Sequence, residues 1–293
     1  MPFGQTVRDY LYLMKFKITS LLVFTSAMTL FLASILNSVT ISLPFAIYAI
    51  AIITLGCGGC NTLTCYLDRD IDGIMDRTKD RPLPTHRIYP ASKALIFGLS
   101  LLSISLIGAF AINPLSFLMI FIGFLDNVIV YSLLLKRRHP LNIILGGLSG
   151  GMPALFGWTA VMNGLTLLPI ILAIMIMLWI PNHIWNLAIY YKDDYRKAGV
   201  PMLPVVVDMK NSVRIIVLSV LVMFPLSLLP SFFGLGFGLV YLAVALGFGA
   251  IIVAGNLYTF LKPTVENAWT MFKLSSPYLF LLFTAMVVDA IMK

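Results

Sequence analysis

Residues 42–72, SLPFAIYAIAIITLGCGGCNTLTCYLDRDID, decide the fold. From Leu43 to Leu67 there is no charged side chain, and the run then ends on Asp68, Asp70 and Asp72. An uncharged stretch of this length matches the ~20 apolar residues a helix needs to cross about 30 Å of hydrocarbon. An amphipathic helix on a water-soluble core would show a polar face, and this one shows none. The stretch reads as a transmembrane helix that delivers carboxylates to one surface of the bilayer.

Similar runs recur outward in both directions. The pattern predicts spans at 18–37, 42–66, 92–111, 115–135, 141–161, 166–190, 213–230, 236–261 and 274–292. The 293 residues are 60% hydrophobic and only 11% charged, with a mean hydropathy of +0.97, which excludes an ordinary soluble domain. The expected fold class is all-α: a polytopic membrane protein, a nine-transmembrane-helix bundle forming one domain over residues 1–293. The first apolar run reads as span one rather than as a cleaved leader.

The net charge of +8 does not point to nucleic acid, because of where it sits. Of 20 Lys and Arg, all but Lys293 fall before span one, in the loops after spans two, four, six and eight, or, as Lys93 and Arg214, at the very start of the span that follows such a loop. The positive-inside rule then places the N-terminus and those loops in the cytoplasm, at the cell membrane. Cys57 and Cys60 form a CxxC among Gly56, Gly58 and Gly59; inside an apolar helix these read as small packing residues rather than a redox or zinc motif.

Two cytoplasmic loops, about 67–91 and 191–212, look alike. Each follows a helix ending in aspartates, then carries basic residues and Pro82-Leu83-Pro84 or Pro201-Met202-Leu203-Pro204. A pseudo-symmetric bundle would bring them together over one cavity. In the first, Asp68 and Asp72 are one turn apart on one helical face, with Thr64 and Asn61 below them. Their repulsion calls for a hard divalent cation such as Mg²⁺, which takes a few carboxylates plus substrate phosphates. Asp70 points elsewhere, toward an Arg. Arg69, Arg77, Lys79 and Arg81 suit a diphosphate. In the second, His183, Leu187, Tyr190 and Asp194 share a face, with His183 inside the apolar zone. Its readings are a neutral His bonded to a neighbouring helix, a contact to or ligand of a metalloporphyrin, or a general base. Asp126 in span four reads first as part of a structural network with Asn127 and Tyr131. Lys136-Arg137-Arg138 reads either as a topology anchor or as a holder of phosphates or carboxylates. Gly146-Gly147 and Gly150-Gly151 read as a helix-packing seam. Acids and bases above an apolar bundle suit an amphiphile with a diphosphate head, whose ionisation needs neutralised charge in a water-poor site.

On these residues the chain resembles the UbiA-type intramembrane prenyltransferases and, within them, the heme O synthase (protoheme IX farnesyltransferase) family. The resemblance rests on Asn61-Thr62-Leu63-Thr64-Cys65-Tyr66-Leu67-Asp68-Arg69-Asp70-Ile71-Asp72, Arg77-Thr78 and Arg81 to Pro84. It extends through Leu135 to Arg138, Asn142, Gly150 to Pro153, Gly157-Trp158, His183, Trp185, Lys192 to Tyr195 and Pro201 to Pro204. It implies that Asp68, Asp72 and Asp194, with Asp193 beside them, bind prenyl diphosphate through Mg²⁺. Arg77, Lys79, Arg81, Asn61, Thr64 and Lys192 would serve the head group, and His183, Trp185, Arg137 and Arg138 would contact heme. The implied reaction is attack of a heme B vinyl group on a farnesyl or geranylgeranyl cation, then capture by water. Thr64 departs from the superfamily, which usually has Asn there. The rival readings are prenyl transfer to a quinone-precursor aromatic acid or lipid alcohol, and a secondary transporter. A transporter predicts carboxylates near the bilayer midplane.

Overall fold

The computed structural model describes residues 3–232 and 235–293. Among these residues nine helices are long and apolar enough to cross a bilayer. They are α1 (Phe16–Leu36), α2 (Leu43–Leu67), α3 (Ser92–Ile112), α4 (Pro114–Leu135), α5 (Asn142–Met162), α6 (Leu167–Tyr190), α7 (Met209–Phe232), α8 (Leu239–Leu261) and α9 (Val265–Ile291). A surface helix, Phe3–Leu13, precedes them, and short helices Arg69–Ile74 and Lys192–Lys197 follow α2 and α6.

Spans and helices agree in number and order, and no strand occurs among the described residues. The largest difference is at α9, which begins at Val265 rather than near 274. At 1.5 Å per residue its 27 residues reach about 40 Å, some 10 Å beyond the hydrocarbon. Glu266 and Lys273 lower the hydropathy of that extension without ending the helix, because Thr264 caps it by accepting from Asn267 N at 3.2 Å. Ser42 and Asn113 cap α2 and α4 in the same way.

The two largest apolar clusters make up most of the core. One joins α6, α7, α8 and α9; the other joins α2, α3 and α4. Helices α1 and α5 contribute to both: Leu32, Ala33, Ala154 and Trp158 face one, while Leu30, Met152 and Phe156 face the other. These two helices are therefore the shared wall of two half-bundles. They touch at Gly157, where a Cβ would stand 2.0 Å from Ser26 O. Likewise a Cβ on Gly59, between Cys57 and Cys60, would lie 2.9 Å from Leu102 N of α3, so the glycines there allow close backbone approach.

Two helices deviate from regularity near the end of the bundle that carries the acidic motif. Helix α4 runs as an α-helix to Phe124 and then as a π-helix over Leu125–Leu135. Helix α5 is interrupted at Gly146-Gly147, where the sequence suggested only a packing seam. Asp126 lies at this junction and accepts from Ser149 N at 2.7 Å, so its partner is the start of the second half of α5 rather than Asn127 or Tyr131.

Candidate active site

The acidic motif sits where α2 leaves the bundle. The helix kinks at Asp68, yet the hydrogen bonds Asp68 N to Thr64 O (2.9 Å) and Asp72 N to Asp68 O (2.8 Å) keep the one-turn spacing. Both side chains are buried, at 2% and 4% exposure. Two buried carboxylates one turn apart need compensation, and cations from the chain supply it. Lys136, at the end of α4, donates to Asp68 Oδ2. Arg81 Nη1 donates to Asp72 Oδ2 at 2.7 Å. Burial alone would pull the Lys136 pKa down, but the Asp68 carboxylate holds it above its ordinary value.

A third cation arrives from the front of α1. Lys15 is half-buried, and its Nζ donates to Thr64 Oγ1 at 2.8 Å. Burial lowers its pKa, with Cys65 and Asp68 pulling the other way. Asn61 donates to Thr19 Oγ1 at 3.0 Å, which ties this face of α2 to α1. Asp70 points away, as expected, and takes both Nη atoms of Arg137 at 2.6 and 2.7 Å. Those bonds hold its carboxyl down to about 2.

The two similar loops do meet. Asp194, 8% exposed, accepts from the backbone N–H of Asp76 (3.2 Å) and Arg77 (3.1 Å). Arg77 lies over the rings of Tyr191 and Tyr195 and donates to Tyr195 Oη at 3.3 Å. Asp193 instead faces solvent and pairs with Arg196 at 2.7 Å. Lys79 is exposed and pairs with Asp76, and Lys192 is half-buried at the same turn as Asp194. Arg138 is exposed. Trp185 is fully buried in the apolar cluster beneath these loops. His183, within α6, bonds through Nδ1 to Ser275 Oγ of α9 at 2.6 Å.

The acids thus occupy two places, the Asp68–Asp72 pair and the Asp194 clasp. Among the described residues no three Asp, Glu, His or Cys side chains converge closely enough to hold a metal unaided. One oxygen is nonetheless left over: Asp68 Oδ1 is buried and bonds to no partner. A buried anionic oxygen without a donor is costly and suits a cation brought in with a ligand. Sequence reasoning missed Lys15, and it assigned Arg137 and Arg138 to heme while leaving Lys136 open between an anchor and a holder of phosphates or carboxylates. Only proximity to the acids distinguishes Lys15 and Lys136. The acids of both loops lie at helix ends rather than the midplane, which removes the transporter reading.

A sequence profile of the UbiA prenyltransferase family matches residues 21–283. The chain is 44% identical to a protoheme IX farnesyltransferase of Desulforudis audaxviator (strain MP104C) over 287 residues, covering 98% of this chain and 90% of that protein. It is 41% identical to protoheme IX farnesyltransferase 2 of Cenarchaeum symbiosum (strain A), covering 97% and 96%. A solved digeranylgeranylglyceryl phosphate synthase superposes with a TM-score of 0.79 at 22% identity, over 99% of this chain and 100% of the other. A UbiA homologue from Archaeoglobus fulgidus bound to DMAPP and Mg²⁺ superposes at 0.66 with 18% identity, over 94% and 99%.

Proposed function

The chain belongs to the UbiA prenyltransferase family, and on that premise we propose that it transfers a prenyl group from prenyl diphosphate to a vinyl group of heme B, giving heme O. The buried Asp68–Asp72 pair, ringed by Lys15, Arg81 and Lys136 at the mouth of the bundle, is the observation that carries it. The acceptor follows from the relatives that are named for it. Lipid-alcohol acceptors have only fold-level likeness behind them.

The donor set fits Mg²⁺ by its chemistry: two carboxylates, one with a buried free oxygen, leave the remaining ligands to phosphates and water. Asp68 and Asp72 would hold the ion, with Asp194 across the clasp. Its contribution would be to neutralise charge on the departing diphosphate. The chain's own cations do the same work directly. Lys15, Lys136, Arg81 and Arg77 bind phosphate oxygens, and Lys79, Lys192, Thr64 and Asn61 complete the polar rim. Asp193, beside Asp194, keeps the rim acidic on its solvent side. As the allylic C–O bond breaks, its electron pair leaves with diphosphate. The two apolar clusters keep water from the cation while the vinyl π pair forms the new C–C bond. Water then adds to the resulting carbocation and loses a proton, which leaves the hydroxyalkyl group.

His183 faces the acceptor side, Trp185 packs in the apolar cluster beneath the loops, and Arg138 with Arg137 serves the propionates. The donor is farnesyl or geranylgeranyl diphosphate. The protein lies in the cell membrane, with its N-terminus and active site toward the cytoplasm.

Asp68→Ala and Asp72→Ala are each expected to lower heme O formation by about 100-fold or more, with membrane insertion intact. Mass spectrometry of hemes from expressing cells measures this and gives the tail length. Wild-type turnover in both variants would remove the metal–diphosphate reading, and a prenylated quinol or ether in place of heme O would move the acceptor.

A further inference from the structure

His183 is held by the facing helix in a way that fixes more than its position. On α6, Trp179 and His183 stand one turn apart and both grip Ser275 of α9. Trp179 Nε1 donates to the Ser275 carbonyl at 2.8 Å, and His183 Nδ1 lies 2.6 Å from the Ser275 hydroxyl. That hydroxyl also donates to Phe272 O at 2.6 Å. A hydroxyl has a single proton. With it directed to Phe272, Ser275 Oγ accepts from His183, so Nδ1 carries the imidazole proton and Nε2 keeps a lone pair. The ring cannot swing away, because it is stacked between Trp179 and Phe272 with centroids 4.6 and 4.5 Å apart.

Nε2 bonds to no atom among the described residues, and His183 is half-buried rather than sealed in the packing. A bare imidazole nitrogen at this depth in the apolar zone is an expensive feature that wants a partner from outside the chain. Metal-binding histidines are commonly set up this way, with the other ring nitrogen donating to a fixed oxygen that chooses the tautomer. From His183 the rings continue through Phe272, Trp269 and Tyr190 to Tyr191, where Arg77 sits 5.1 Å above the ring. A column of stacked rings, turning edge-on at Tyr191, therefore runs from the free nitrogen to the Asp194 clasp.

We propose that His183 Nε2 is an axial ligand to the iron of the porphyrin acceptor, and that Ser275 is the positioning residue that fixes its tautomer. The proposal rests on heme being the acceptor and adds how the enzyme grips it. Purified full-length protein titrated with hemin, and separately with iron-free protoporphyrin IX, tests it. His183→Ala should weaken hemin binding 10- to 100-fold and abolish the absorption signature of imidazole-ligated iron, while leaving protoporphyrin binding within about two-fold. Ser275→Ala should weaken hemin binding about ten-fold and broaden that signature, and Ser275→Thr, which keeps the hydroxyl, should restore both. Exogenous imidazole should return the signature to His183→Gly. Equal losses for hemin and protoporphyrin, or an unchanged spectrum in His183→Ala, overturn the ligation while leaving heme as the acceptor. A wild-type protein that binds no hemin overturns the acceptor reading and this proposal together.

Discussion

At the residue scale, Lys136 shows how the site is balanced. Lys136 and Asp68 are 13% and 3% exposed, so each is costly without the other. Lys136→Met is expected to destabilise the protein by about 3 kcal/mol, because it leaves a buried carboxylate unpaired. Adding Asp68→Asn should recover most of that loss. Thermal unfolding of the four combinations in one detergent measures it, and additive losses would mean that the pair is not coupled. Asp70 and Arg137 are the contrast. At 61% and 39% exposure their pair is solvent-screened, so Asp70→Asn should cost no more than about 0.5 kcal/mol. The Asp70 carboxyl is held at about 2, below the ~3.9 of an unfolded chain. Its small contribution is therefore complete above about pH 4 and fades as the pH falls through about 2. A wild-type advantage that grew on acidification would contradict this. The spacing of Asp68, Asp70 and Asp72 was legible from sequence because it is local helical geometry. The partners were not: Lys15 and Lys136 are 49 and 68 residues from the side chains they meet, and nothing in their own neighbourhoods sets them apart.

At the element scale, two irregularities place the cations. The π-helical end of α4 ties Lys136 N to Tyr131 O at 2.7 Å, five residues back. It thereby turns Lys136, rather than Arg137, toward Asp68. Apolar runs read for hydropathy carry no sign of such a change of pitch, so the sequence offered only a basic cluster there. The break of α5 at Gly146-Gly147 lets its second half start beneath Asp126 and pack on α1. Gly157→Ala puts a methyl 2.0 Å from Ser26 O and 2.4 Å from Thr29 Oγ1, and should cost about 3 kcal/mol by forcing α1 and α5 apart. Gly164→Ala, in the loop between α5 and α6 with its nearest neighbour at 3.6 Å, should be close to neutral. Equal melting temperatures for the two variants would mean that the α1–α5 contact does not hold the half-bundles together.

At the scale of the whole molecule, charge sorts the loops into two kinds and packing sets the site. The positive loops predict that, in a cysteine-free background, Arg138→Cys is labelled by an impermeant maleimide only after the cells are opened, while Gly164→Cys is labelled on intact cells. The opposite pattern would invert the topology and put the active site outside. The sequence by itself determined the nine spans, the sorting of positive charge to alternate loops, the acidic pair and the family, because hydropathy, charge placement and one-turn spacing are properties of neighbours along the chain. Tertiary structure decided which cation meets which acid, that Asp194 clasps the Asp76–Arg77 backbone, that one Asp68 oxygen is left free, and that Ser275 holds His183. Those contacts join residues dozens to more than a hundred positions apart, and they exist only once two half-bundles close on the shared wall of α1 and α5.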